Sequence, residues 1–208
     1  ALMSRELLLH HPEVRNYTTI WMDTLRGGTF GLSNTNKLIR FYDGATGLKT
    51  GFTREAGYCI SATAERDGME LIAVIMKGTT SDSRNADAKT LLNYGFSTYT
   101  LVDVQPQEPL APLPVTLGAA DSVALTLPAE GHTLLVEKSR AGSLTQTVDL
   151  PESVAAPVQA GQQLGTLTVT DSGGDTLLTV PLLAAEPVAA LSWGEMTTRM
   201  LQMLIFCA

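Results

Sequence analysis

The chain has 208 residues, enough for one large domain or two smaller ones. Hydrophobic residues account for 44% and charged residues for only 17%, a composition that can fill a core and excludes a disordered chain. The net charge of −7 disfavours binding to nucleic acid and electrostatic docking onto anionic lipid. No apolar run approaches the ~20 residues that cross a bilayer, and the start lacks the pattern of a signal peptide.

The cysteines and histidines do not have the spacing of a metal site. His10 and His11 are adjacent, and neighbouring helix positions do not face each other, so both are predicted to lie on the surface. Cys59 lies in an apolar strand pattern and is predicted to be a buried structural thiol. The sequence therefore predicts neither a metal nor a cofactor.

The first part of the chain alternates apolar runs with turn residues. Residues 2–11 are predicted to form a helix, because leucines line one side and charged residues the other. Short strands are predicted at Tyr17–Trp21, Thr29–Leu32 and Lys37–Tyr42, separated by glycine- and asparagine-rich turns.

Three longer strands are predicted next, at 46–53, 58–64 and 69–77. Asp67-Gly68 between the last two is a strong hairpin pattern, so the three are expected to form an antiparallel meander. Residues 81–96 are predicted to form a helix, and strands flanked by helices indicate an α+β domain. Three polar residues are candidates for the N-terminal cap of that helix: Ser81, Asp82 and Ser83.

Residues 101–189 differ in character, being rich in Val, Leu, Thr, Ala, Gly and Pro and lacking a helix pattern. Short alternating runs with turn residues between them predict a small β-sandwich or barrel. Seven strands are predicted: Leu101–Val104, Pro114–Leu117, Ser122–Leu127, Thr133–Lys138, Leu144–Leu150, Gln163–Thr170 and Thr176–Leu183. Residues 191–208 predict an amphipathic helix whose apolar face, from Trp193 to Cys207, suits either a protein core or a membrane interface.

Lys49-Thr50-Gly51, in the predicted strand 46–53, is the stretch with the clearest chemistry. A strand of this kind can present an ammonium group, a hydroxyl donor and bare backbone to one ligand. An anionic, peptide-like ligand fits it, because a carboxylate needs positive charge and a peptide backbone can run alongside the strand.

The residues around this triplet extend the pattern. Gly47–Thr53 is followed by Ala56-Gly57-Tyr58-Cys59, by Arg66-Asp67-Gly68-Met69 and by Leu91-Leu92-Asn93-Tyr94-Gly95-Phe96. Together these runs resemble the serine-type D-alanyl-D-alanine carboxypeptidases, which are low-molecular-mass penicillin-binding proteins.

The resemblance covers nearly the whole chain and implies its organisation. Residues 1–98 are expected to be the C-terminal part of an α+β penicillin-binding domain of the β-lactamase/transpeptidase-like class. Residues 101–189 are expected to be the family's β-sandwich domain, and 191–208 its membrane-associating amphipathic helix.

The family carries the motifs Ser-x-x-Lys, Ser-x-Asn and Lys-Thr-Gly, and this chain holds the third. None of its five lysines has a serine three positions earlier. Ser83-Arg84-Asn85 has the composition of the second motif but follows Lys-Thr-Gly, whereas the family order places it before. The resemblance therefore implies that the nucleophilic serine lies upstream of Ala1 and that this chain is inactive alone.

By resemblance, the parent protein removes the terminal D-alanine from peptidoglycan stem peptides through an acyl-enzyme, is acylated by β-lactams, and works on the extracytoplasmic face of the bacterial membrane. Lys49 is expected to act in catalysis and to attract the substrate carboxylate, and Thr50 to donate its hydroxyl to it. Gly51 lets the substrate backbone approach, the Phe52 N–H serves as an oxyanion-hole donor, and Arg84 helps to bind the carboxylate.

Other interpretations fit parts of the sequence. A serine β-lactamase shares Lys-Thr-Gly, but the appended β-domain and terminal helix favour the carboxypeptidase. A non-enzymatic β-sandwich binding module would account for 101–189 alone. For Arg84 the alternative is a solvated position in the first turn of a helix, where a cation is poorly placed unless an anion is near.

Overall fold

The computed structural model describes residues 1–206, which divide into two units between Leu101 and Val102. The predicted domains 1–98, 101–189 and 191–208 remain predictions, and Cys207 lies outside the described residues. The elements of the first unit, in chain order, are α1 (Leu2–His10), α2 (Arg15–Thr18), β1 (Met22–Leu25), β2 (Phe30–Ser33), α3 (Leu38–Phe41), β3 (Ala45–Thr53), β4 (Gly57–Arg66), β5 (Met69–Gly78) and α4 (Ser81–Thr98), with β6 (Tyr99–Asp103) leading into the second unit.

The predicted meander is confirmed: β3, β4 and β5 form an antiparallel sheet in the order β3-β4-β5. A two-residue turn joins β4 to β5, and both of its residues have positive φ, 51° at Asp67 and 76° at Gly68. Turns of this kind suit the right-handed twist of a hairpin, and Asp-Gly is among the few pairs that adopt them readily. The hairpin therefore follows from the sequence locally.

The apolar face of this sheet packs against α4. Ile60 and Ala62 of β4 share one core cluster with Ala88, Leu92 and Phe96 of α4. These helix positions recur at three- and four-residue steps, so they form one stripe that the sheet can bury.

The opposite face of β4 carries polar residues and contacts the N-terminal helices. Ser4 of α1 shares a hydrogen bond of 2.7 Å with Ser61, which alternates with Ile60 and Ala62 and so lies on the other face. Thr18 donates its hydroxyl to the carbonyl of Thr46 at 2.6 Å. The sheet is thus layered between α4 and the N-terminal helices.

Two of the predicted short strands are wrong. Helical turns occupy Arg15–Thr18 and Leu38–Phe41, where strands were expected at Tyr17–Trp21 and Lys37–Tyr42. The second error has a local cause: Asn36 accepts the N–H of Leu38 through its side chain at 3.1 Å, which begins a helical turn in an otherwise strand-like run.

The predicted helix 81–96 is confirmed as α4, but its cap is Thr80 and not one of the three residues expected. Thr80 accepts the N–H of Ser83 at 3.0 Å, and the Ser83 hydroxyl accepts the N–H of Thr80 at 3.2 Å. This reciprocal pair is a capping box, with serine in place of the usual Glu or Gln.

The second unit consists mainly of short strands, as predicted. In chain order its elements are β7 (Leu113–Thr116), β8 (Ser122–Val123), β9 (Leu125–Thr126), β10 (Thr133–Glu137), α5 (Lys138–Ala141), β11 (Thr145–Asp149), β12 (Val154–Ala155), β13 (Gln163–Thr170), β14 (Thr176–Ala184) and α6 (Trp193–Phe206). One sheet has the order β11-β13-β14-β9 and another the order β12-β7-β8. The sequence patterns missed β12 and the single turn α5, both too short to carry a periodicity.

Two apolar clusters fill this unit. Leu167 and Val180 centre the cluster on the four-stranded sheet, and Val123 and Val158 centre the cluster on the three-stranded sheet. Each has at least one member with under 1% of its surface exposed, so the unit has the core that the alternating apolar pattern predicted.

The segment before α6 is held by backbone hydrogen bonds. Gly118 and Ala190 form an antiparallel bridge, and the N–H of Leu191 donates to the carbonyl of Leu117 at 2.9 Å. Within α6, Arg199 forms a 2.9 Å ion pair with Asp121. No helix among the described residues is long and apolar enough to cross a membrane.

Leu92→Ala tests the core of the first unit, since Leu92 is 1% exposed. We expect the free energy of unfolding to fall by about 2–5 kcal/mol because a cavity replaces the buried side chain. Trp21 reports on this unit when urea unfolding is followed by fluorescence in a Trp193→Phe background. The matched control is Leu91→Ala on the same helix, where Leu91 is 50% exposed and the expected loss is under about 1 kcal/mol. Equal losses would contradict the described packing.

Candidate active site

The third-motif residues lie on β3, the outermost strand of its sheet. β3 pairs with β4 alone among the described strands, with Lys49 opposite Ser61, Thr50 opposite Ile60 and Gly51 opposite Cys59. The outer edge of β3 therefore offers backbone groups to a further strand or an extended ligand.

Lys49 and Thr50 differ in how they are held. Lys49 is exposed and its ammonium donates to the carbonyl of Thr50 at 2.5 Å. The Thr50 hydroxyl is half-buried and shares a 2.6 Å hydrogen bond with the hydroxyl of Thr35. The ammonium is thus at the surface of the strand, while the hydroxyl is fixed by a neighbouring loop.

That loop, residues 34–36, is a part of the site that the sequence pattern predicts only as a turn. Asn36 is 3% exposed and donates its side-chain amide to the carbonyl of Gly47 at 2.9 Å. Asn34 accepts the N–H of Asn36 at 2.9 Å and donates to the carbonyl of Ile20 at 3.0 Å. The sequence feature that could have indicated this role is the pair of asparagines, Asn34 and Asn36, just before an apolar run. Asparagine side chains stabilise turns by hydrogen bonding to the backbone.

Gly51 is the residue at which the strand lies open. A Cβ added there would meet no described atom within 4 Å, and the backbone is not in the left-handed region. By contrast, a Cβ at Gly47 would lie 2.9 Å from the Thr18 hydroxyl oxygen. Neither strain nor internal packing of the described chain therefore requires glycine at position 51.

Phe52 follows as the next residue on the strand. Its side chain is 57% exposed and its ring lies 4.5 Å, centroid to centroid, from the ring of Tyr58 on β4. This cross-strand aromatic pair stabilises the end of the β3–β4 ladder. The side chain is thereby engaged with β4.

Arg84, in the first turn of α4, is 3% exposed, so the alternative of a solvated surface position is wrong. Its guanidinium donates to the carbonyl of Cys59 at 3.3 Å, to the side-chain oxygen of Asn85 at 3.0 Å and to the hydroxyl of Ser81 at 3.4 Å. Burial lowers the pKa of Arg84 from its ordinary value, and the neighbouring Cys59, Tyr58 and Asp82 act in the opposite direction. The cation lies behind the part of β4 that pairs with Gly51.

A bulge in β5 makes room for Arg84. Tyr58 pairs with Gly78 and Ile60 with Ile75, so β5 holds one residue more than β4 over this span, and Lys77 has a positive φ of 60°. A Cβ at Gly78 would lie 3.1 Å from the Cβ of Arg84. Glycine at 78 therefore allows the helix to approach the sheet closely enough for the guanidinium to reach Cys59.

Other charged and sulfur groups near the site have structural partners. Lys37 donates to Asp82 at 2.9 Å, and this hydrogen bond lowers the pKa of the Asp82 carboxyl below its usual value. Cys59 is half-buried rather than buried, and its thiol donates to the carbonyl of Ala56 at 3.4 Å. Within residues 1–206, no three His, Cys, Asp or Glu side chains are grouped as a metal site would require.

Comparison with known proteins finds relatives of both units. Residues 1–80 match the D-alanyl-D-alanine carboxypeptidase family, and residues 96–190 match the C-terminal domain of penicillin-binding protein 5. The D-alanyl-D-alanine carboxypeptidase DacF of Bacillus subtilis is 34% identical over 195 residues, which are 91% of this chain and 48% of that protein. DacA of Escherichia coli K12 is 31% identical over 144 residues, 68% of this chain and 35% of that protein.

The fold also has solved counterparts. Penicillin-binding protein 5 of Haemophilus influenzae superposes with a TM-score of 0.70 at 23% identity, covering 91% of this chain and 55% of that one. An α+β unit followed by a β-domain is the arrangement that this chain shares with that penicillin-binding protein. The chain belongs to the D-alanyl-D-alanine carboxypeptidase family. It spans about half the length of DacF, and less of DacA.

Alanine substitutions at two glycines test whether position 51 is free of internal constraint. We expect Gly51→Ala to leave the free energy of unfolding within about 0.5 kcal/mol, because the new methyl enters open space. Gly47→Ala should lower it by about 1–3 kcal/mol, because its methyl collides with Thr18. Urea unfolding followed by Trp21 fluorescence in the Trp193→Phe background measures both. A large loss at position 51 would show that the glycine has a structural role.

Proposed function

We propose that this chain is part of a serine-type D-alanyl-D-alanine carboxypeptidase and supplies one wall of its active site. The nucleophilic serine and its lysine then come from a segment that precedes residue 1. The substrate is a peptidoglycan stem peptide ending in D-Ala-D-Ala, and β-lactam antibiotics react with the same serine. The chain alone has no hydrolytic activity on this proposal.

The open backbone at Gly51 carries the proposal. A glycine that nothing in the described chain requires, on the free edge of a sheet, is explained if a ligand must lie there. An extended peptide can add to the edge as an antiparallel strand, and the exposed Lys49 ammonium then attracts its terminal carboxylate. The Thr50 hydroxyl, oriented by Thr35, donates to that carboxylate.

The reaction is an acyl transfer. The serine oxygen attacks the carbonyl carbon between the two D-alanines, the C–N bond breaks, and the terminal D-alanine leaves after its nitrogen takes up a proton. Water then hydrolyses the ester and restores the serine. The backbone N–H of Phe52, together with the N–H of the serine, stabilises the oxyanion of each tetrahedral intermediate.

Arg84 strengthens the positive charge at the carboxylate end of the site. Its side chain is 3% exposed and lies behind β4, so in this conformation the guanidinium acts on the carboxylate through its positive charge. The proposed role is substrate binding.

The location proposed for the protein is the extracytoplasmic face of the bacterial membrane, where peptidoglycan lies. Helix α6 then lies on the membrane surface, with Trp193 as an interfacial anchor because it is 84% exposed. No nucleic acid takes part, in keeping with the net charge of −7.

Labelling with a fluorescent penicillin tests where the nucleophile lies. We expect no covalent adduct on the 208-residue chain, because it contains no Ser-x-x-Lys. The chain extended by the preceding segment of its gene product should form an adduct that survives denaturing electrophoresis. A labelled band on the 208-residue chain would place the nucleophile within it and overturn this part of the proposal.

Substitutions of Phe52 in the extended protein test the oxyanion role of its N–H. Phe52→Pro removes the N–H, and kcat/KM for a D-Ala-D-Ala peptide should fall by about 10²–10³. Phe52→Ala keeps the N–H and should cost less than about tenfold. Circular dichroism confirms that each variant folds. Equal losses would mean that the phenyl ring, and not the backbone, is what the reaction needs.

A further inference from the structure

The outer edge of β11 is a second open strand edge, in the second unit. β11 ends the order β11-β13-β14-β9 and pairs with β13 alone among the described strands. Natural proteins usually protect such edges with lysine, proline or a bulge, and Thr145–Asp149 contains no lysine or proline and pairs with β13 without a register shift. The edge therefore presents its backbone N–H and C=O groups to another chain.

A groove runs along this edge on the core face of the sheet. Gln146, Val148 and Leu150 line one side, and the proline-rich segment 106–111 lines the other, enclosing about 400 Å³. We call this the edge groove. Val148 is 42% exposed although it lies opposite the buried Leu167, so the groove leaves apolar surface uncovered beside the core.

Charge indicates which occupant fits. Residues 102–208 contain eleven acidic and three basic residues, a net charge of −8, whereas residues 1–101 contain ten acidic and eleven basic residues, a net charge of +1. Glu108 lines the edge groove and Asp149 ends β11. A second copy of this unit would be repelled, and a cationic chain would be attracted.

We propose that β11 and the edge groove bind an extended, lysine- or arginine-rich segment of another protein as an added strand. The backbone of that segment pairs with the open edge of β11. Its alternate apolar side chains enter the groove against Val148. Its basic side chains lie on the opposite face of the strand, beside Asp149.

Fluorescence anisotropy with the 208-residue chain tests this proposal. The probe is a fluorescein-labelled acetylated heptapeptide that alternates lysine and valine, and a second probe carries glutamate in place of lysine. We expect the lysine probe to bind at least about tenfold more tightly than the glutamate probe at low salt. No binding of the lysine probe, or equal binding of the two probes, would overturn the proposal.

Two matched variants locate the binding surface. Val148→Lys introduces a like charge into the groove and should weaken binding of the lysine probe at least about tenfold. Ser122→Lys adds the same charge at an exposed position on β8, in the other sheet, and should change binding less than about twofold. Thermal unfolding checks that both variants fold. Equal weakening by the two would place the peptide elsewhere and overturn the proposal.

Analytical ultracentrifugation completes the test, since a dimer that Val148→Lys dissociates would make a second copy the occupant and overturn the choice of a basic partner.

Discussion

The hydrogen bond from the Asn36 side chain to the carbonyl of Gly47 is the constraint on which the proposed active site depends. It is buried, and it joins a loop to the strand that carries Lys49 and Thr50. From the same loop, Thr35 orients the Thr50 hydroxyl. A groove wall built on an edge strand needs such support, because one side of the strand has no neighbour to hold it.

β3 and β4 are open to a ligand on one side and supported by Arg84 on the other. In front, the strand is left bare at Gly51, where a ligand can approach. Behind, Arg84 fills the space that the β5 bulge opens and bonds to the carbonyl of Cys59, opposite Gly51. The open edge and its charged support therefore come from one local arrangement of strand, bulge and helix start.

Features set by backbone preferences of adjacent residues could be predicted, and features set by side-chain hydrogen bonds or by distant contacts could not. Asp67-Gly68 fixes its hairpin by backbone preference alone, so the meander was correctly predicted. Lys37–Tyr42 has the composition of a strand, and the Asn36 side chain makes it a helical turn instead. The motif around Lys49 identified the family, but the burial of Arg84 depends on a bulge that no periodicity reveals.

The bridge between Gly118 and Ala190 also determines how the second unit responds to force. It is antiparallel, and the Leu191 N–H bond to Leu117 lies at its C-terminal end. A pull on α6 along the chain would therefore reach the Arg199 ion pair with Asp121 first and the Leu191 bond to Leu117 next, before it reached the four-stranded sheet.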